Sequence, residues 1–209
     1  MTNWCYTSVN ITAPKAQIQA LDSFLDDAAA SGKRRNDFGE MWLGHILERL
    51  GYDEQSIREG KKVCRCRGAI KYVDVCEENI SLAISSAWGP QIGPVLLASR
   101  CFAPDAEITY SAEEPSTGLF MTNDPDLKDA VMVDSYIGEQ PDDYPEEFRD
   151  VHEPLKMDFV MEVLKKDLGH SGTFDKLAWE FMEKYECVSL NAFETVELED
   201  FLPVEEGGD

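Results

Sequence analysis

The residues best suited to chemistry in this chain are its cysteines and its carboxylates. Cys64, Cys66 and Cys76 lie close together. In a strand a C-x-C pair points to one face, but a closed zinc site takes four ligands, and His45, His152 and His170 show no ligand spacing that would complete one. No metal is therefore expected. Cys5 falls inside an alternating run, away from the base or helix N-terminus that would make its thiol a nucleophile, so it reads as a core residue. Asp124, Asp126 and Asp129 resemble the start of a calcium loop but lack its central glycine and closing glutamate, which leaves a solvated turn. A glycine-rich phosphate loop, a serine elbow and an H-E-x-x-H pair are all missing from the sequence. The expectation is a non-enzyme without a cofactor; an enzyme of unrecognised type is the first alternative.

The carboxylates are informative through their distribution. The chain holds 41 acidic and 19 basic side chains, a formal charge of -22. Residues 1–103 carry 12 of each sign, and residues 104–209 carry 29 acidic against 7 basic. Such a field repels phosphate backbones and anionic lipid and favours a basic protein partner. The densest run is Asp142, Asp143, Glu146, Glu147, Asp150 and Glu153. Along an extended chain these carboxylates would imitate phosphates and fill the nucleic-acid groove of a basic protein; the competing reading is a solvated acidic linker. The opposite charge is concentrated in Lys61, Lys62, Arg65, Arg67 and Lys71. That cluster makes nucleic-acid binding a further alternative, but Tyr72 is the only ring near it in sequence, short of the aromatic set that stacks bases.

The elements that position these residues follow from hydrophobic periodicity. Residues 3–12 alternate as a strand. Thr12 and Pro14 open a helix whose Ile18, Leu21, Leu25 and Ala28 form one stripe, closed by Ser31-Gly32. Asp37 and Glu40 suggest a capping box for a second helix bearing Phe38, Trp42 and Ile46, with Gly51 as its stop. Strands are expected over 62–67, 70–76 and 80–84. Trp88-Gly89-Pro90 breaks the last and leads to a helix over 95–102. Further strands are expected over 106–112, 117–122 and 130–137.

The segment 138–145 has linker composition, so the architecture is expected to change there. Pro154 suggests the first turn of a helix running to Leu168, Thr173 the cap of another bearing Phe174, Leu177, Ala178, Phe181 and Tyr185, and 187–196 a possible strand. The expected organisation is an α+β domain over 1–137, with a mainly helical acidic extension over 138–209 packed on it.

The start of the chain has no basic leader region, no run approaches the roughly 18 apolar residues of a membrane span, and six scattered cysteines do not make a disulfide framework. Free thiols and a cytoplasmic location are expected.

Three landmarks occur in order: Asn3-Trp4-Cys5-Tyr6-Thr7-Ser8-Val9-Asn10-Ile11; Trp88-Gly89-Pro90 before a helix; and Tyr110-Ser111-Ala112-Glu113-Glu114 followed by Gly118-Leu119-Phe120. Together they make residues 1–125 resemble the YubB ferredoxin-like domain family of plasmid, phage and integrated-element proteins, with departures at Thr7 and Ala13. The resemblance implies a ferredoxin-like antiparallel sheet with helices on one face, here carrying an inserted helix, extra strands and a C-terminal helical pair. It implies structural roles for Asn3, Trp4, Cys5, Trp88, Pro90, Tyr110, Glu113 and Gly118, and no particular activity. The leading functional expectation is a protein-binding accessory factor of a mobile genetic element.

Overall fold

The computed structural model describes residues 3–31, 39, 41–59, 64–135 and 140–203. The chain divides into two compact units, one formed by 1–123 with 196–209 and the other by 124–195. The division thus falls between Asn123 and Asp124, ahead of the expected change at 137/138, and the chain returns to the first unit at Val196.

The first unit is α+β. Its strands are β1 (Trp4–Thr12), β2 (Gly68–Val75), β3 (Asn79–Ala87), β4 (Glu107–Glu114) and β5 (Leu119–Thr122), adjacent in the order β2-β3-β1-β4-β5, and each of these pairings is antiparallel. On β1 the even positions are exposed and Cys5, Thr7, Val9 and Ile11 are buried. One face is therefore core and the other solvent, as the alternation predicts. The helices α1 (Lys15–Ser31), α2 (Leu43–Arg49) and α4 (Gly93–Phe102) pack on one another, and their apolar residues join the inner sheet residues in one core that includes Ile18, Leu21, Leu47, Val95 and Tyr110.

Helix α2 starts later than expected because Met41 and Trp42 are used elsewhere. Trp42 is extended and bridges Ala69, the Ile70 amide donates to the Met41 carbonyl, and the Trp42 indole donates to the Cys66 carbonyl at 2.8 Å. The expected cap at Asp37 and Glu40, with Phe38, lies outside the described residues. A further helix, α3 (Glu54–Glu59), was not expected, although its cap is present in the sequence: Asp53 accepts from the Ser56 amide at 2.9 Å and hydroxyl at 2.6 Å. Of the strand expected over 62–67, residues 64–67 alternate in burial without forming one. Gly68 then lets β2 approach β3 closely, since a Cβ there would lie 2.7 Å from the Ser85 carbonyl oxygen.

The second unit is not a helical pair alone. Strand β6 (Ala130–Ser135) is central between β7 (His152–Lys156) and β8 (Val188–Ala192), and α5 (Met157–Leu168) and α6 (Phe174–Lys184) complete a separate core with Val131, Val133, Phe148, Leu164, Leu177 and Phe181. A two-residue strand, β9 (Glu194–Thr195), follows. Pro154 sits in β7, opposite Met132, so α5 begins after it. A proline is tolerated there because β7 is an edge strand of this sheet. Thr173 does occupy the N-cap position of α6, and Gly169 closes α5 in the left-handed region.

Candidate functional site

The acidic run is anchored, not a linker. Tyr144 and Phe148 are buried within it, four residues apart, while the polar residues around them face outward. The Tyr144 hydroxyl meets Ser135 Oγ at 2.8 Å, and that serine in turn donates to the Phe148 carbonyl at 2.5 Å. The Phe148 ring packs edge-on against Phe181 with centroids 5.6 Å apart, and Tyr144 packs likewise on Tyr185 at 5.1 Å. Burial pushes the Tyr144 and Tyr185 hydroxyls above their ordinary range. Tyr185 donates to the Asp143 carbonyl at 2.9 Å, which ties the start of the run to the end of α6.

This anchoring overturns the idea of carboxylates spaced along an extended strand. Residues 146–148 form a 3-10 turn, Asp150 has a positive φ of 56°, and only Glu153 lies on a strand. Asp142, Asp143, Asp150 and Glu153 are exposed. Glu146 accepts from Arg149 Nε at 2.9 Å and Glu147 from Lys166 Nζ at 2.9 Å. The Lys166 hydrogen bond holds the Glu147 carboxyl below the usual range, and the same bond holds the lysine above its own.

Between this segment and α5 runs a groove of about 510 Å³ lined by Asp143, Pro145, Glu146, Glu147, Val163, Lys166 and Asp167. Asp167 is itself engaged, accepting from Lys184 at 3.0 Å and sharing the single Tyr185 hydroxyl proton, at 3.0 Å, with the Asp143 carbonyl. Three of the four carboxylates lining the groove are thus ion-paired, Glu146 with Arg149, Glu147 with Lys166 and Asp167 with Lys184, which leaves Asp143 to meet a cationic side chain.

The landmark residues sit in the first unit. Asn3 accepts the Trp88 amide at 3.1 Å, Cys5 is buried beneath the sheet, and Trp88 (φ 69°) and Gly89 (φ 119°) turn the chain ahead of Pro90. Tyr110 is buried, donates to the Val196 carbonyl at 3.0 Å and meets Phe201 edge-on. Gly118 makes the β4–β5 turn with φ 68°. The carboxylate enclosed by that turn is Glu114, bonded by the Ser116 and Thr117 hydroxyls, whereas Glu113 lies opposite Tyr6 on the outer face. Burial pushes the Cys5 thiol up to about 11 and the Cys64 thiol up to about 12, so both are neutral at physiological pH.

Among the described residues no three His, Cys, Asp or Glu side chains are grouped as a cation site requires. Cys64 and Cys66 are buried while Cys76 is exposed. Asp124 accepts the Asp126 amide in an ordinary turn. Lys61 and Lys62 lie outside the described residues; Arg65, Arg67 and Lys71 are exposed. What the sequence concealed is their aromatic company. The register places Tyr6 opposite Ser85 and Tyr72 opposite Ala83, so β1 and β2 set Trp4, Tyr6 and Tyr72 on the same outer face. Among the described residues no helix is long and apolar enough to cross a membrane.

Compared with protein-family models, curated proteins and solved structures, the chain matches none.

Proposed function

We propose that this protein is a non-catalytic binding factor whose acidic second unit engages a basic protein, itself of the nucleic-acid-binding kind. The observation that carries the reading is the fixing of Asp142, Asp143, Asp150 and Glu153 in water by the buried Tyr144 and Phe148. Charges held on an anchored segment lose little conformational freedom on binding, whereas the same charges on a free linker would have to be ordered first. The groove beside them offers a lysine or arginine of the partner the Asp143 carboxylate, beside the ion pairs of Glu146, Glu147 and Asp167. Complementary charge of this kind also steers encounter, so association should weaken as salt rises.

The β2-β3-β1-β4 order, with helices between β1 and β2 and between β3 and β4, supports the ferredoxin-like reading of the first unit. With the three landmarks it supports an origin on a plasmid, phage or integrated element. A cytoplasmic setting belongs to the same proposal.

The test is binding of a purified lysine- and arginine-rich DNA-binding protein, by calorimetry at about 0.05 M salt, where screening is weak. Reversing Asp142, Asp143, Asp150 and Glu153 to lysine should weaken binding about tenfold or more, the equivalent of about 1.4 kcal/mol. Reversing four exposed carboxylates of the first unit, Asp26, Asp74, Glu78 and Glu107, should have a much smaller effect. Equal losses from the two sets would mean bulk attraction only, and the reading would fail.

A further inference from the structure

The outer face of the first unit's sheet is open to water along β1, while Ser85 and Ala87 of β3 and Ala69 of β2 are buried on it. On the central strand β1, Trp4, Tyr6, Ser8, Asn10 and Thr12 are all exposed. Tyr6 is 53% exposed and Tyr72 61%. These rings rise from a floor of small residues, for Ser85 and Ala83 lie opposite them on β3 and Ala69 pairs with Ser85 on β2. Folding gains little from the Tyr6 and Tyr72 rings left in solvent, so their grouping on one face calls for a ligand.

The spacing is informative. Trp4 and Tyr6 are two residues apart on one strand, about 7 Å. Tyr6 and Tyr72 are separated by the width of β3 and a two-residue offset, about 12 Å in all. That span corresponds to roughly three stacked nucleotides at about 3.4 Å each. At the end of β3, Trp88 is 57% exposed, and its amide is bonded to Asn3 beside Trp4. It holds a left-handed conformation, uncommon for a bulky residue.

Charge at this end of the face is complementary to phosphate. The Ala87 amide donates to the Arg67 carbonyl, which continues the ladder so that Arg67 shares a row with Ala87 and Trp4. Arg65 lies two residues before it and Lys71 at the bulge next to Tyr72; all three are exposed, and none forms an ion pair among the described residues. The carboxylates on the face nearest the two tyrosines are Asp74, two residues beyond Tyr72 on β2, and Glu113, on the β4 side of Tyr6, both away from Arg65 and Arg67.

We propose that this face binds single-stranded nucleic acid, with Trp4, Tyr6 and Tyr72 stacking bases and Arg65, Arg67 and Lys71 meeting the backbone. The site is separate from the acidic groove of the second unit. With about three phosphate contacts, affinity should fall about 10- to 20-fold between about 0.05 and 0.2 M salt, a shallow dependence for a nucleic-acid binder.

The experiment titrates the full chain with oligothymidylate and oligouridylate of about eight nucleotides, reading tryptophan fluorescence, with a duplex of equal length for comparison. Saturable quenching by the single strands and much weaker binding of the duplex are expected. Tyr6→Ala and Tyr72→Ala should each weaken binding roughly 5- to 150-fold, the range measured for one stacking ring. Tyr6→Phe and Tyr72→Phe should retain it, because stacking needs the ring and not the hydroxyl. Arg67→Glu should weaken it and flatten its salt dependence. Reversal of Asp142 and Asp143 should leave it unweakened, which separates this proposal from the one above. The proposal falls if no single strand binds at low salt, or if the alanine variants, with unchanged circular dichroism, bind as the parent does. It falls equally if sedimentation shows the face buried between two copies of the chain, through dimerisation that Tyr6→Ala abolishes.

Discussion

Replacing Phe148 by alanine tests the anchoring of the acidic segment. The side chain is fully buried and packs edge-on against Phe181, while its carbonyl accepts the hydroxyl of the buried Ser135. Removing a buried phenylalanine ring costs about 3–5 kcal/mol through lost burial and the cavity left behind. A unit the size of 124–195 is stabilised by roughly 4–11 kcal/mol, so the loss takes about a quarter of its stability or more. At about 4–8 °C per kcal/mol, unfolding of this unit should move down by roughly 12–40 °C. Near-ultraviolet circular dichroism would follow the melting, and hydrogen exchange would report the amides of 140–153, which should become unprotected before the rest of the unit. Phe148→Leu, which keeps most of the volume, should cost less than about half as much. If the segment were a solvated linker, the change would stay within about 0.5 kcal/mol. A midpoint shift below about 3 °C would refute the anchoring.

Two further predictions follow from the surroundings of titratable groups. A thiol reagent at mildly alkaline pH should modify Cys76 and Cys101 first and Cys187 more slowly, leaving Cys5, Cys64 and Cys66 unmodified until denaturant is added, as mass spectrometry of the labelled peptides would reveal. Early labelling of Cys64 would contradict its burial. Replacing Lys166 by methionine should let the Glu147 carboxyl titrate nearer its ordinary range, followed by carbon-detected NMR. In the parent the folded carboxyl titrates below the unfolded one. Its stabilising contribution is therefore present above the unfolded value and is lost as pH falls through the folded one; the variant should lack that part of the acid dependence. An unchanged Glu147 titration would mean that Lys166 is not its partner.

Much of the first unit was legible in local pattern. The alternation of Trp4–Thr12 and the stripe of Ile18, Leu21, Leu25 and Ala28 are periodicities that burial then fills. The cap at Thr173 and the stops at Gly51 and Gly169 were equally local. What failed depended on partners distant in sequence. Pro154 resembles a helix start until β6 is seen to pair with it. Trp42 belongs to a helical stripe until its bridge to Ala69 withdraws it. Tyr144 and Phe148 are two rings in a polar, proline-containing stretch, and their burial is decided by Ser135, Phe181 and Tyr185. The aromatic face was concealed for the same reason, since Tyr6 and Tyr72 become neighbours only through β3. In each case the missing information was a long-range pairing, which short-range spacing does not encode.

The central claim is that the fixed carboxylates of the second unit form the partner-binding surface. Hydrogen exchange of the chain, alone and saturated with a lysine- and arginine-rich DNA-binding protein at low salt, tests it most directly. The account predicts added protection concentrated over 140–153 and the facing turns of α5 around Lys166, lost when salt is raised. Protection confined to other segments, or none despite saturation, would contradict it.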